Sequence, residues 1–289
     1  MKKYILILAL VFLPSGVFAA VTPPAPVLSA KGIAVYGWKD GVQDPTPLYI
    51  QNEHRLYPVA SITKLVTALA VKDLYPADRV FTMSPTAIAT EGSIKGIVTG
   101  SQFTRDDLLK ALLITSSNDA ATAFMEAIGR TAFISKMNDI LHTRKYTATS
   151  FWNPSGLDPA KRIIGNSNRL TPYHVSKLLS DIYTTDEDLV SIMNNPKAEI
   201  VDLRTNALVE VRQSNGLYLD EKYKDKVLMG KTGLTNLAGQ NLAFVTPGNE
   251  QYDYITIVIL GSKNRMADSK KLLDWIDLTN KVQASTYGG

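Results

Sequence analysis

"LMGKTGLTN", Leu228 to Asn236, is the stretch on which the fold turns. Its Gly230-Lys231-Thr232 core matches the end of a phosphate-binding loop. Such a loop needs a glycine five residues earlier, so that successive backbone N–H groups can wrap a phosphate. That position is Asp225, a carboxylate that would repel the ligand, and the preceding "EKYKDKV" holds no glycine. The nucleotide reading fails. Shifted by one, the same residues read as Lys231-Thr232-Gly233 on a strand that follows the apolar run "VLM". Gly233 lets a ligand approach the backbone closely. Lys231 and Thr232 offer a cation and a hydroxyl, which suits a substrate carboxylate. An edge strand guarded by a lysine would carry the same residues.

The surrounding chain has 289 residues, 45% hydrophobic and 20% charged, enough for one large domain or two small ones. It shows no low-complexity tract and no repeat. The N-terminus is different. "MKK" is a basic start, "YILILALVFL" is an apolar run of ten, and Val17-Phe18-Ala19 follows. Residues 1–19 are expected to be a secretory signal peptide. Ten apolar residues fall short of the roughly 20 needed to span a bilayer. Residues 20–30, containing "VTPPAPVLSA", form a proline-rich lead-in. Loss of Lys2 and Lys3 lowers Lys+Arg from 31 to 29 against 27 acids, a net charge of +2. That is no footprint for nucleic acid, though it is compatible with an anionic polymer as substrate. The chain has no cysteine, so disulfides, thiol catalysis and Cys metal sites are excluded. Its three histidines, His54, His142 and His174, form no ligand pattern, so neither metal nor cofactor is expected. No GxSxG elbow is present to expose the serine of a Ser-His-Asp triad.

Periodicity orders the rest. "GIAVYGWKDG" and "PTPLYIQNEHRLY" alternate as a strand pair. "ASITKLVTALAVKDLYP" is apolar at 62, 65, 66, 69 and 70, which predicts a helix from about Ser61 that stops at Pro76. Thr104 and Asp107 form a short-acid capping box for "RDDLLKALLI". "DAATAFMEAIG" and "TAFISKMNDILHTRK" also fit helices, and Thr171-Pro172 starts "YHVSKLLSDIY" with proline at the first helical position. From Glu199 onward strand-like runs follow one another, and "ADSKKLLDWIDLTNKV" closes the chain as an amphipathic helix. Strands, helices, strands and a final helix predict an α+β fold, an antiparallel sheet with a mostly helical insertion.

Two further motifs bear on chemistry. Ser61-Ile62-Thr63-Lys64 places a serine and a lysine on one helix face. The helix dipole favours developing negative charge at the serine, and a desolvated lysine can act as its base. An N-capping serine with a surface lysine would look the same. Ser116-Ser117-Asn118 precedes a helix and could equally be its cap, and Ser262-Lys263-Asn264 repeats the SxN spacing. Each motif is weak alone.

Together, in the order SxxK, SxN, KTG, they match the set known for class A β-lactamases and penicillin-binding proteins. The chain resembles the serine D-alanyl-D-alanine peptidases, the low-molecular-mass penicillin-binding proteins. "YPVASITKLVTAL", "LLKALLITSSNDAATAF", "FWNPSGLDP", "GKTGLTNLAGQNLAF" and "KKLLDWI" extend the likeness over residues 31–283. The resemblance implies a β-lactamase/DD-peptidase-like fold and a division of labour. Ser61 would be the acylated nucleophile and Lys64 its base. Ser116 would relay a proton to the leaving amine, tuned by Lys231. Asn118 would hold the substrate amide and orient Lys64. Thr232, with Thr235, would bind the carboxylate beside the scissile bond. The N–H groups of Ser61 and Leu234 would form the oxyanion hole. Peptidoglycan stem peptides would be the substrate, and β-lactams covalent inhibitors.

Class A β-lactamases deacylate through a glutamate-bearing loop. The matching stretch here, "FWNPSGLDPAKRIIGNSNRLTP", has Asp158 as its only acid, so slow deacylation is expected. Larger family members carry a C-terminal β domain and a membrane anchor. The sequence ends at "NKVQASTYGG" without either, as in the endopeptidase branch. Cleavage of cross-links in a periplasm is therefore the expected activity. Carboxypeptidase action is the alternative, and a catalytically inert peptidoglycan-binding relative is the non-enzyme reading.

Overall fold

The computed structural model describes residues 23–92, 94–146, 150–159 and 164–287. The expected signal peptide, 1–19, lies outside them. Among these residues the strands are β1 (Gly32–Trp38), β2 (Thr46–Gln51), β3 (Tyr57–Pro58), β4 (Val80–Thr82), β5 (Gln102–Thr104), β6 (Arg169–Leu170), β7 (Lys197–Asp202), β8 (Ala207–Arg212), β9 (Met229–Thr235), β10 (Gly239–Pro247) and β11 (Tyr254–Ser262). The helices are α1 (Thr63–Leu74), α2 (Pro85–Ile88), α3 (Arg105–Lys110), α4 (Asn118–Glu126), α5 (Arg130–Thr143), α6 (Pro172–Thr185), α7 (Glu187–Asn194) and α8 (Arg265–Tyr287).

The main sheet has the order β2-β1-β11-β10-β9, with every neighbour antiparallel. The first strand therefore pairs with the last, Gly32 opposite Leu260 and Trp38 opposite Tyr254. The helical segments enter between β2 and β9, as the strand–helix–strand texture predicts. Side chains alternate across a strand, and β11 shows the consequence. Ile255, Ile257 and Ile259 pack with Leu272, Leu273 and Ile276 of α8. Val258 and Leu260 join the other core, which holds Val175, Leu178 and Leu179 of α6 and Leu65 and Val66 of α1. Each such aliphatic side chain contributes about 1.5–3 kcal/mol by leaving water. Covered on both faces, β11 is buried throughout and is apolar apart from Thr256 and the terminal Ser262.

Several expectations need correction. The helix expected from about Ser61 begins at Thr63, and Ser61 sits in a 3-10 turn, Ala60–Ile62, ahead of it. Thr104 caps α3 by accepting from the Asp107 N–H at 3.2 Å. The Asp107 carboxylate does not complete the box. It accepts from Lys110 Nζ at 2.8 Å and from the Val201 N–H at 3.1 Å. The strand-like run after Glu199 forms a separate ribbon, β7–β8, because it pairs only with itself. Helix α7 was not legible: Asp186 caps it, but its apolar positions are only eight residues long.

Candidate active site

Sheet, insertion and the turn before α1 converge around Ser61. The peptide preceding Ser61 is bent: Ala60 has φ +49, a left-handed conformation that costs about 1–3 kcal/mol for a non-glycine residue. Neighbouring glycines enforce it. A Cβ on Gly156, at φ +82, would lie 1.9 Å from the Ala60 carbonyl oxygen. A Cβ on Gly233 would lie 2.8 Å from the Val59 carbonyl oxygen and 3.3 Å from the Ser61 nitrogen. Strand β9 and the "NPSGLD" loop thus grip the nucleophile turn from two sides.

Lys64 is fully buried. Its Nζ donates to Ser61 Oγ at 2.8 Å, to Asn118 Oδ1 at 2.6 Å and to the Ser155 carbonyl at 2.9 Å. Burial strips its water and holds its pKa well below the usual 10.5, Lys231 lowers it further, and Asp119 opposes the shift. The amine therefore has three oxygen acceptors yet is poised to be neutral. Asn118 is itself fixed, because its Nδ2 donates to the Glu91 carbonyl at 2.5 Å.

Lys231 is 1% exposed, and burial, with Arg265 adding repulsion, lowers its pKa to about 7. Among the described residues its Nζ makes one hydrogen bond, to the Thr232 carbonyl at 3.3 Å. Thr232 Oγ1 lies 2.7 Å from Ser214 Oγ. β9 is the edge of the main sheet, with β10 as its one strand neighbour. An edge strand beside a nucleophile offers backbone groups to an extended peptide.

Ser61, Lys64, Asn118, Lys231, Thr232 and Gly233 are therefore brought together. Ser116 flanks this cluster. It is left-handed, φ +68, and ends a π-helical turn over Ala111–Thr115. No hydrogen bond joins its hydroxyl to Ser61, Lys64 or Lys231 among the described residues. Ser117 is the residue that caps α4, accepting from the Ala120 N–H at 2.9 Å. Leu234 is 62% exposed on β9. Thr235 is the last residue of β9, paired with Gly239, and its hydroxyl accepts from the Ala238 N–H of the hairpin turn at 3.1 Å. The second SxN copy is structural: Ser262 Oγ donates to Asp268 at 2.6 Å, and Asn264 Oδ1 accepts from the Ala267 N–H at the start of α8. Asp158 is tied up as well, its carboxylate accepting from the Leu237 N–H at 2.9 Å.

Three contributors escaped sequence reasoning. Ser214 reaches Thr232, and its own N–H donates to the Ile114 carbonyl at 3.0 Å, joining the Ser116 turn to β9. Arg265 Nη1 donates to the Gly233 carbonyl at 2.9 Å. The Ser155 carbonyl accepts from Lys64. Ser214 and Arg265 belong to no short motif, and although Ser155 lies in the "FWNPSGLDP" stretch, only the fold reveals that its carbonyl faces Lys64.

The sequence profile of the D-alanyl-D-alanine carboxypeptidase family matches residues 45–264. A D-alanyl-D-alanine endopeptidase of Pseudomonas aeruginosa is 30% identical over 82% of this chain and 74% of its own length. A D-alanyl-D-alanine endopeptidase of Escherichia coli is 27% identical over 96% of this chain and 87% of its own. The crystal structure of an ampicillin-bound penicillin-binding protein of Listeria monocytogenes superposes with a TM-score of 0.73 over 88% of this chain and 100% of that one, at 23% identity, which shows the shared fold. The chain belongs to the D-alanyl-D-alanine carboxypeptidase family of serine peptidases, the low-molecular-mass penicillin-binding proteins.

Proposed function

We propose that this protein hydrolyses D-alanyl amide bonds of peptidoglycan through an acyl-enzyme on Ser61, acting chiefly as an endopeptidase on cross-links. The observation that carries the reading is the 2.8 Å contact between Ser61 Oγ and the buried Lys64 Nζ. Neutral Lys64 takes the Ser61 proton as Oγ attacks the scissile carbonyl. The N–H groups of Ser61 and Leu234 receive the oxyanion, and each such donor is worth about 10²–10³ in rate. Ser116 relays that proton from Lys64 to the departing amine, with the Lys231 charge nearby, so that the acyl-enzyme forms with Lys64 neutral again. Water then attacks the ester, Lys64 accepts its proton and returns it to Ser61 Oγ as the acyl bond breaks, and Ser61 is regenerated. Lys231 and the Thr232 hydroxyl, held by Ser214, face the carboxylate beside the scissile bond. The Thr235 hydroxyl, which accepts from the Ala238 N–H, keeps its own O–H to donate to that carboxylate.

The substrate assignment follows the relatives' endopeptidase names and is analogy at family level. A β-lactam would acylate the same serine, and slow deacylation is expected because the "FWNPSGLDPAKRIIGNSNRLTP" stretch carries no glutamate. Incubation with purified cross-linked muropeptides tests the assignment. Dimers converted to monomers support it. Release of terminal D-Ala with dimers intact would establish a carboxypeptidase instead. We further assign the protein to the periplasm of a bacterium with two membranes, exported by residues 1–19. A mature N-terminus elsewhere than about Ala20, read by sequencing the exported protein, would contradict the leader.

A further inference from the structure

We propose that a cationic cavity beside the β9–β10 hairpin is a subsite for a carboxylate on the acyl side of the substrate, upstream of the scissile bond. The assignment rests on the catalytic reading above. That reading gives β9 a polarity. The leaving-group carboxylate lies at Thr232 and the scissile carbonyl at Leu234, so the acyl side runs on toward the hairpin turn. Leu237 and Ala238 of that turn form one wall of a cavity of about 200 Å³. Arg55, Tyr57 and Pro58, on the approach to the nucleophile, form another. Lys31 and Arg169 complete the charged lining, and Arg169 pairs with Pro58 in the β3–β6 ladder. A water occupies about 30 Å³ of liquid, so the cavity holds a carboxylate with several waters.

Charge gives the ligand class. Three cations line the cavity and no carboxylate does, among the described residues. Lysines elsewhere, such as Lys72, Lys136 and Lys270, are ion-paired. Neither Lys31 nor Arg55 has such a partner among the described residues. Both are nevertheless braced. The Lys31 stem lies over Gly261, where an added Cβ would meet Lys31 Cδ at 3.1 Å, and the Tyr57 hydroxyl donates to the Lys31 carbonyl at 2.8 Å. The Arg55 guanidinium stands 5.9 Å from the Tyr57 ring centre. From Leu234 to Leu237 is three residues, at most about 10 Å of chain. The matching carboxylate therefore sits within a few residues upstream of the bond that is cut, in reach of a whole stem peptide but not of a minimal acyl-D-Ala-D-Ala.

The test uses two synthetic stem peptides that differ only in one upstream carboxylate, free or amidated. Kinetics are measured on the full-length protein, on the K31Q/R55Q variant and on the charge-retaining K31R/R55K variant. Acylation by benzylpenicillin is followed in parallel. The wild type should prefer the free carboxylate by about two- to twentyfold in kcat/KM, carried by KM, as expected for two partly exposed charge contacts. The preference should shrink at high salt. K31Q/R55Q should lose it while penicillin acylation stays unchanged, and K31R/R55K should keep it. No preference in the wild type, or an undiminished one in K31Q/R55Q, would overturn the subsite. Absence of penicillin acylation in the wild type would overturn the catalytic reading itself, and the subsite with it.

Discussion

Lys231 is a cation with almost no water around it and one long hydrogen bond. Its folded pKa, about 7, lies below its ordinary 10.5. Between those values the unfolded chain binds the extra proton, so stability rises with pH across the window. Replacing Lys231 by Met should therefore raise the melting temperature while impairing turnover. The gain, about 1–3 kcal/mol, should be largest below pH 7 and fade toward 10.5. Calorimetry at two pH values checks it, and a loss of stability at pH 6 would contradict it. On the proposed mechanism Lys64 would act with the same sign on rate: acylation should speed up as pH rises through its lowered pKa, because the neutral amine would be the base. Ser214 makes a subtler prediction. Ser214→Ala removes one hydrogen bond, worth about 0.5–1.5 kcal/mol, from the Thr232 hydroxyl. KM for carboxylate-bearing substrates should rise about two- to tenfold with kcat nearly unchanged, and Ser214→Thr should restore it. An equal fall in kcat would point to a structural role. At this scale the motif residues could be read from the sequence, since each is a fixed chemical type at a fixed spacing. Ser214 could not. Nothing local marks it, and its partner is 18 residues away on another element.

At the scale of elements, the site depends on backbone brought closer than side chains allow. Gly156→Ala would drive a Cβ into the Ala60 carbonyl from a left-handed backbone. It should cost about 2 kcal/mol or more, lowering the melting temperature by about 4–8 °C, and it should slow penicillin acylation by displacing Ser61. Unchanged acylation would show that the "NPSGLD" loop does not set the nucleophile turn. The long elements were legible because their apolar period runs for several turns or along a whole strand, as in α6 and β11. The failures have physical causes. The Ser61 turn is tightened to 3-10 by tertiary contacts with Gly156 and Gly233, which local propensity does not report. The β7–β8 ribbon has the same alternation as a main-sheet strand, and only pairing partners tell them apart. The two SxN copies are also indistinguishable locally, and one proves to be the start of α8.

Across the whole molecule, the two ends of the chain hold the sheet that carries the site. β1 pairs with β11, and Asp268 of α8 fastens the junction. Its buried carboxylate accepts from the Ser29 N–H at 3.0 Å, Ser29 Oγ at 2.8 Å and Ser262 Oγ at 2.6 Å. Asp268→Ala should cost about 2–3 kcal/mol, because three donors lose a charged acceptor, while leaving the acylation rate of the folded enzyme unchanged. Denaturant titration beside penicillin kinetics separates the two effects. The overall architecture was visible as strands at both ends and helices between, but that the ends meet is a property of the fold. The central claim is that Ser61, activated by buried Lys64, becomes covalently acylated. The most direct test is fluorescent-penicillin labelling of the wild type beside Ser61→Ala, with the adduct mapped by mass spectrometry. Labelling of the wild type alone, with the adduct on Ser61, is the predicted result. Equal labelling of both proteins, or none in the wild type, would contradict it.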